Sequence, residues 1–200
     1  MKKATKILIG TGNPAKLKEY KKLLKPLHVD VVSARDLGII EPEEVGKTFE
    51  ETAIDKAKYY YGKSGLPTLV DDGGFEIEAL GGEPGVRSKR WIGREMTDEE
   101  IINEVMKRMQ GVPVAQRQSR HTIAMALATP FGIFTSHGQV DGIVADQPHK
   151  KRTAGFPYRS LLYLPAYNKY WIELSAKEED ILNHRKAALE KIKDIFKELE

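Results

Sequence analysis

Cysteine is absent from the chain of 200 residues. This absence excludes disulfide bonds, thiolate metal sites and cysteine nucleophiles. Any metal ion bound by the protein must therefore be held by oxygen ligands or by the five histidines.

Long hydrophobic runs and a large excess of charge are also missing. The first residues, Met1 to Lys6, are followed only by the short apolar run Ile7 to Ile9 before Gly10. That run is too short for a signal-peptide core or a membrane span, so we expect a cytoplasmic protein with no membrane partner. A net charge of +3 gives little basis for binding a nucleic-acid polymer, although it permits a compact anionic substrate.

The composition is that of a globular protein, with 40% hydrophobic and 30% charged residues. At this length the chain is able to bury a substantial core, and we expect residues 1–200 to form one domain. Predicted strands and helices alternate, and two extended runs joined at Thr129 and Pro130 predict a hairpin in the second half. The pattern indicates an α/β fold around a mixed sheet.

The first candidate site follows the first predicted strand. Asn13 is a favoured helix N-cap and Pro14 suits the first helical position, so the preceding glycine-containing turn delivers free N–H groups at a helix start. Such a start binds anions, and Lys16 adds a cation to its first turn. The alternative is an ordinary strand-to-helix turn with a solvated lysine.

The most informative stretch is Leu69 to Gly74, where an apolar run ends in Asp71 and Asp72 and then in two glycines. Neighbouring side chains of a strand point to opposite faces, so we expect one carboxylate to serve a ligand and the other to support a turn. Glycines let the backbone approach a phosphate closely. We interpret the stretch as a metal-binding, water-activating centre of a nucleotide hydrolase, against the alternative of a simple turn.

An acidic loop with Glu44 precedes a helix that Thr48 and Glu51 begin with a capping box. Lys56 falls on the inward stripe of this helix, between Ala53 and Tyr60. Its ammonium either extends along the surface to solvent or meets a buried phosphate.

Later segments carry weaker signals. Lys150 to Arg159 combines glycine, aromatic residues and cations, which suits either stacking on a nucleobase or an exposed loop. Gly81 to Trp91 is either a phosphate-side rim or a solvated loop. A capping box at Ser175 predicts one last helix reaching Phe196, with His184 and Arg185 facing inward, where a buried cation needs an anion or a base edge. His121 and His137 lack partners at ligand spacing, so we predict packed or surface positions.

Taken together, several stretches resemble motifs of the inosine triphosphate pyrophosphatase family, in the same order and with suitable gaps. They are Thr11–Lys16, Glu44–Ala57, Asp71–Gly74, Gly82–Val86, Gly155–Phe156 and His184–Arg185. Members of this family hydrolyse non-standard purine nucleoside triphosphates, such as ITP, dITP and XTP, to the monophosphate and pyrophosphate. The resemblance spans nearly the whole chain.

The resemblance implies an elongated mixed β-sheet flanked by helices, with two lobes, a central cleft for the site and a homodimeric assembly. It implies Mg²⁺ held by Glu44 and Asp72, with Asp72 also acting as the base and Lys56 assisting. Mg²⁺ prefers one or two carboxylates plus phosphates and waters, which suits this pair. The candidate substrate-binding residues are Thr11, Gly12, Asn13, Lys16, Gly73, Gly155, Phe156, Tyr158, Arg159, Glu179, His184 and Arg185.

Within this resemblance the phosphate and metal positions match, whereas the base-reading positions depart from the family pattern. The departures are Thr52, Gly73, Pro157-Tyr158-Arg159 and Glu179. Arg159 and Glu179 each carry the sign opposite to the one the family pattern places there. We therefore expect a paired swap in which Arg159 donates to the 6-keto oxygen of the base and Glu179 orients it.

Two alternatives stay open at this point. One is a nucleotide pyrophosphatase of different base preference, such as the Maf-type enzymes. The other is a catalytically weak nucleotide-binding protein, which the altered base-reading positions allow.

Overall fold

The computed structural model describes residues 5–199. Residues 1–4, which entered the signal-peptide argument, and residue 200 lie outside this range. The strands are β1 (Lys6–Ile9), β2 (Asp30–Ser33), β3 (Thr68–Ile77), β4 (Gln118–Thr129), β5 (Gly132–Val144), β6 (Leu162–Leu164) and β7 (Lys169–Tyr170). The α-helices are α1 (Pro14–Leu24), α2 (Phe49–Ser64), α3 (Asp98–Arg108), α4 (Ala176–Leu182), α5 (His184–Ile192) and α6 (Ile195–Glu198).

The strands form one seven-stranded sheet in the order β2-β1-β3-β4-β5-β6-β7. β1 is parallel to both β2 and β3, whereas β5, β6 and β7 pair antiparallel. β4 and β5 are neighbours joined by a two-residue connection, which only an antiparallel hairpin permits. The predicted α/β fold with a mixed sheet is confirmed.

The order of the parallel strands marks where a ligand site is expected. The chain runs from β1 through α1 to β2 on one side of β1, and β3 then pairs with β1 on its other side. The carboxyl ends of strands at such a reversal form a crevice that binds ligands in open α/β sheets. Ile9 pairs with Leu69, so the loop after β1 lies level with Asp71.

The chain divides into two compact units. Of the described residues, unit 1 contains 5–72, 123–138 and 185–199, and unit 2 contains 73–122 and 139–184. Unit 1 has a hydrophobic core on each face of the sheet, because successive strand residues point to opposite faces. Leu69 belongs to one core and Val70 to the other. Unit 2 has one core, built around Phe75. The prediction of a single functional domain stays a prediction.

Local capping signals place most helix starts correctly. Asn13 accepts a hydrogen bond from the N–H of Ala15 at 2.9 Å and begins α1. Ser175 forms the reciprocal capping box predicted for it, and Thr97 and Glu100, whose spacing in the sequence also predicts a box, form one at the start of α3. Thr48 caps α2 as predicted, but the Glu51 carboxylate accepts from the N–H of Lys47 and the reciprocal bond to Thr48 is absent.

The prediction of one last helix is wrong. Asn183 adopts φ −64° and ψ 105°, an extended conformation that separates α4 from α5. A single helix would place Ile181 on the same apolar stripe as Leu189 and Phe196, but Ile181 is 68% exposed because the stripe does not continue across this break. Among residues 5–199, no helix is long and apolar enough to cross a membrane.

The turn expected at Asp71 to Gly74 is also absent, because β3 continues as a strand to Ile77. The glycine at position 74 is required for close packing. A Cβ there would collide with the carbonyl of Gly85 and the hydroxyl of Ser88, both in unit 2. Since the strand is unbroken, Asp71 and Asp72 project to opposite faces, and Asp71 supports no turn.

Candidate active site

The loop after β1 and the start of α1 form an anion-binding element in unit 1. The N–H of Asn13 donates to Thr11 Oγ1 at 3.1 Å, and the Asn13 side chain caps α1. Gly12 is exposed, and a side chain at its position would collide with the Glu41 carboxylate. The Glu41 carboxylate therefore lies against the loop that leads into α1. The N–H groups of Ala15 and Lys16 already donate to the Asn13 side chain, so the expectation of free N–H groups is wrong at these two positions.

Asp71 lies at the centre of a buried ion-pair network in the same unit. Its Oδ2 is 3.0 Å from Lys16 Nζ and 3.3 Å from an Arg185 guanidinium nitrogen. Arg185 also reaches Glu19 at 3.2 Å. Burial alone would raise the pKa of Asp71, but Lys16 and Arg185 hold that pKa well below its usual range. Asp71 Oδ2 thus faces two protein cations, which favour the ionised form of the carboxyl group.

Asp72 has the opposite electrostatic character. It is only partly buried, and its pKa is raised to about 6, first by burial and then by the carboxylate of Glu44, against the opposing effect of Lys16 and Lys56. A carboxylate with this pKa is largely ionised at neutral pH, yet it is a better proton acceptor than an ordinary aspartate. Of the two neighbouring carboxylates, Asp72 has the properties of a base.

Lys56 points inward from α2, as its place on the stripe predicted, and is 5% exposed. Its Nζ donates to Glu41 at 2.6 Å and to Glu44 at 3.0 Å. Burial lowers the pKa of Lys56, but the two carboxylates outweigh this effect and raise the pKa above its ordinary value. The alternative of a lysine extended to solvent is wrong.

The donor set of unit 1 fits a hard divalent cation. The carboxylate of Glu44 raises the pKa of Asp72. Within residues 5–199, no cluster of three or more histidine, aspartate or glutamate residues is arranged to hold a metal. Carboxylate oxygens are the donors that hard divalent cations prefer, so Glu44 and Asp72 fit such an ion.

In unit 2 the predicted pairing of Arg159 with Glu179 is confirmed, because their side chains are 2.6 Å apart. The Arg159 guanidinium carbon lies 4.5 Å from the ring centre of Phe156 and 5.2 Å from that of Trp171. Two aromatic rings and a carboxylate thus hold one flat cation in a defined orientation. These contacts do not fit the alternative of an exposed loop.

Other candidates of unit 2 belong to its core. Tyr158 is buried, stacks on Phe75 with ring centres 4.6 Å apart, and donates its hydroxyl to the Ser88 carbonyl at 3.0 Å. Tyr158 is thus a core residue, and its predicted contact with the substrate stays a prediction. His184 is buried as predicted, with Trp171 and His121 against its ring. His121 is therefore a packed residue, as expected.

The remaining candidates have mixed placements. The N–H of Gly155 donates to Asp98 at 2.7 Å, which fixes the start of the 155–159 segment. Gly73 lies within β3. In the Gly81 to Trp91 loop the cations Arg87 and Lys89 are exposed, in agreement with a solvated loop, whereas Trp91 is buried.

Sequence reasoning assigned no role to Glu41 or Glu19. Glu41 belongs to the acidic loop, but nothing in the local sequence indicates that it reaches both Gly12 and Lys56. Glu19 follows Lys16 by three positions on α1, so a shared helix face was the available signal.

Comparison with known proteins identifies the family of this chain. The model of the Ham1 family matches residues 7–195. The chain belongs to the Ham1 family. The resemblance deduced from the motifs is thereby confirmed.

Curated members of the Ham1 family match the chain over nearly its whole length. The dITP/XTP pyrophosphatase of Yersinia pseudotuberculosis is 37% identical over 96% of this chain and 98% of its own. The dITP/XTP pyrophosphatase of Thermus thermophilus is 36% identical over 99% of this chain and 95% of its own.

Solved Ham1 structures share the fold. The HAM1 protein of Coxiella burnetii superposes with a TM-score of 0.84 at 31% identity, covering 97% of this chain and 99% of its own. The Ham1 protein of Staphylococcus aureus gives a TM-score of 0.83 at 25% identity, covering 98% of this chain and 100% of its own.

Proposed function

We propose that this Ham1 family protein is a nucleoside triphosphate pyrophosphatase. It hydrolyses non-standard purine nucleotides, namely dITP, ITP and XTP, to the monophosphate and pyrophosphate, with Mg²⁺ as cofactor. The observation that carries the proposal is Asp72, whose pKa of about 6 suits a base and whose charged neighbours include Lys16, Lys56 and Glu44. The pyrophosphatase names of the full-length relatives support the same reaction.

The phosphate end of the substrate is assigned to the helix-start element and two lysines. Phosphate oxygens bind at the loop of Thr11, Gly12 and Asn13 before α1, and Lys16 and Lys56 neutralise charge on the pyrophosphate leaving group. Lys56 becomes available when its carboxylate partners turn toward a cation or solvent. Positioning and electrostatics then supply most of the rate enhancement.

The bond that breaks is the one between the α- and β-phosphates. Asp72 accepts a proton from water as the water attacks the α-phosphorus, and pyrophosphate leaves with the bonding electron pair. Glu44 and Asp72 are the residues that would hold Mg²⁺. When bound, the ion supplies charge neutralisation at the phosphates.

Base recognition is assigned to Phe156 and Arg159. Phe156 offers an aromatic face for stacking, and Arg159 offers donors to the 6-keto oxygen of hypoxanthine or xanthine. Adenine has an amino donor at this position and would place two donors against each other.

Contacts of His184 and Arg185 with the base stay predictions. A homodimeric assembly, testable by sedimentation velocity, and a cytoplasmic location also stay predictions.

A nucleotide panel with Mg²⁺ tests the reaction. Release of pyrophosphate from ITP, dITP and XTP, with little from ATP, is the expected result. Orthophosphate release indicates an ordinary phosphatase, binding without turnover favours the nucleotide-binding alternative, and pyrophosphate from other bases favours a Maf-like preference.

The variant Asp72→Asn tests the assignment of the base, because it removes the base and a metal ligand while retaining the size of the side chain. We expect turnover to fall at least about a hundredfold, as is typical for loss of a general base, with nucleotide binding largely retained. Asp55→Asn, an exposed position on α2, is the control and leaves turnover unchanged. A fully active Asp72→Asn protein would show that another group activates the water.

A further inference from the structure

Four side chains of unit 1 form a line of alternating charge from Lys16 through Asp71 and Arg185 to Glu19. Successive members are 3.0, 3.3 and 3.2 Å apart. Lys16 Nζ also donates to the Asp71 backbone carbonyl at 3.3 Å, so both polar groups of Asp71 hold the ammonium. These contacts bring together α1, β3 and the first turn of α5.

Lys16 is the member of this line nearest to solvent and to the phosphate-binding element. Its side chain is 19% exposed, whereas the side chains of Asp71 and Arg185 are 0% and 2% exposed. Lys16 also lies in the first turn of α1, directly after the capping Asn13. The buried members therefore influence a ligand at this element only through the lysine.

A single buried carboxylate next to Lys16 would act as its permanent counter-ion. The ammonium would then offer little positive charge to a phosphate, because charge interactions are strong away from water. Arg185 supplies Asp71 with a second cation, and Glu19 balances Arg185 in turn. Asp71 is thus shared, which fixes the position of the Lys16 ammonium while leaving part of its charge available.

We infer that Asp71 and Arg185 are positioning residues for phosphate binding, because the guanidinium of Arg185 offsets the Asp71 carboxylate that holds Lys16 in place. This inference rests on the proposed function, since it assigns Lys16 to the triphosphate. It gives Arg185 an effect at the phosphate end of the substrate, which is separate from any contact with the base.

Inorganic tripolyphosphate tests the inference because it has phosphates and no base. Its binding is measured by calorimetry in buffer containing Mg²⁺. Arg185→Gln should weaken binding about tenfold, a typical coupling within an ion-pair network, because Asp71 then neutralises Lys16 alone. Asp71→Asn combined with Arg185→Gln removes both charges and should return binding to within about threefold of the wild type.

The control for loss of a buried arginine is Arg117→Gln. Arg117 is 8% exposed and bonds mainly to backbone carbonyls of unit 2, so its loss should leave tripolyphosphate binding unchanged. Unchanged binding in Arg185→Gln, with KM raised only for nucleotides, overturns the inference in favour of a base contact. Failure of the double variant to recover also overturns it. A wild-type protein that binds no tripolyphosphate contradicts the proposed function instead.

If Arg185→Gln does not fold, Glu19→Gln replaces it, since Glu19 forms the outer end of the line. Arg185 would then turn fully to Asp71 and free more of the Lys16 charge. Tripolyphosphate should bind about two- to fivefold more tightly. Glu190→Gln, an exposed carboxylate of α5, controls for removing one negative charge from unit 1, and equal effects in the two variants overturn the inference.

Discussion

The ammonium of Lys56 lies 2.6 Å from the Glu41 carboxylate, and the same carboxylate lies against the backbone of Gly12. Glu41 thus occupies, with its negative charge, the two elements to which the triphosphate is assigned. Its side chain is 41% exposed, so it is free to move aside. Under the proposed function, a phosphate group of the substrate would therefore replace Glu41 at Lys56.

Glu41→Gln should therefore strengthen substrate binding. The phosphates no longer have to displace a charged competitor from Lys56, so we expect KM for ITP and Kd for pyrophosphate to fall about three- to tenfold, or ~0.7 to 1.4 kcal/mol. Glu43→Gln is the matched control, because Glu43 is an exposed carboxylate of the same loop. If both variants shift KM equally, the effect is one of overall charge and Glu41 is not a competitor.

Asp72→Asn should stabilise the metal-free protein at high pH. The pKa of Asp72 is about 6 in the folded chain against an ordinary 3.8, so the folded state binds more protons between these values. Its contribution to stability is full below about pH 4 and is lost as pH rises through 6. The variant avoids this loss, and in EDTA at pH 8 its free energy of unfolding should exceed that of the wild type by about 1 to 3 kcal/mol.

Urea unfolding at pH 8 and near pH 4 measures the difference, which should vanish at the lower pH. Asp55→Asn provides the control for loss of a carboxylate exposed on α2. Equal stabilities of wild type and Asp72→Asn at pH 8 would show that the Asp72 carboxylate is well solvated.

Replacement of Lys16 or Lys56 by alanine should weaken triphosphate binding far more than monophosphate binding. Each charge-assisted contact with phosphate is worth about 1.5 to 3 kcal/mol. The loss should be larger for Lys56, because its removal also leaves Glu41 and Glu44 facing the phosphates. The exposed neighbours Lys18 and Lys58 are controls, and binding of ITP and IMP by calorimetry is the measurement. Equal losses for the two ligands would place both lysines away from the triphosphate.

The ion pair of Arg159 and Glu179 should determine selectivity for keto purines. Glu179→Lys places two cations together and should lower the preference for ITP over ATP, whereas adding Arg159→Asp restores an opposite pair. Partial recovery is expected, with a coupling of about 1 to 3 kcal/mol in a double-mutant cycle of kcat/KM ratios. Lys177→Glu, a charge reversal at an exposed position of α4, is the control. Strict additivity would show that the pair does not act as a unit in base recognition.

The sequence by itself determined the features that depend on near neighbours in the chain. Asn13 and Pro14 specify the start of α1, and the reciprocal boxes at Thr97 and Ser175 specify two more helix starts, because a cap needs only residues within one turn. Apolar residues at helical spacing predicted that Lys56 lies on the inward face of α2. Departures from the family pattern at Arg159 and Glu179, each with the charge reversed, predicted their pairing.

Only the tertiary structure decided what these groups contact. Turn propensity at Asp71 to Gly74 was overridden because β3 continues to Ile77 as a strand of the seven-stranded sheet. The partner of Asp71 is Arg185, 114 positions later, and that of Lys56 is Glu41 in a loop without regular structure. Such contacts follow from strand order and the path of loops, which no periodic pattern encodes. Asp71 and Asp72 therefore differ only in the folded sheet, where cations lower the pKa of Asp71 and burial raises the pKa of Asp72.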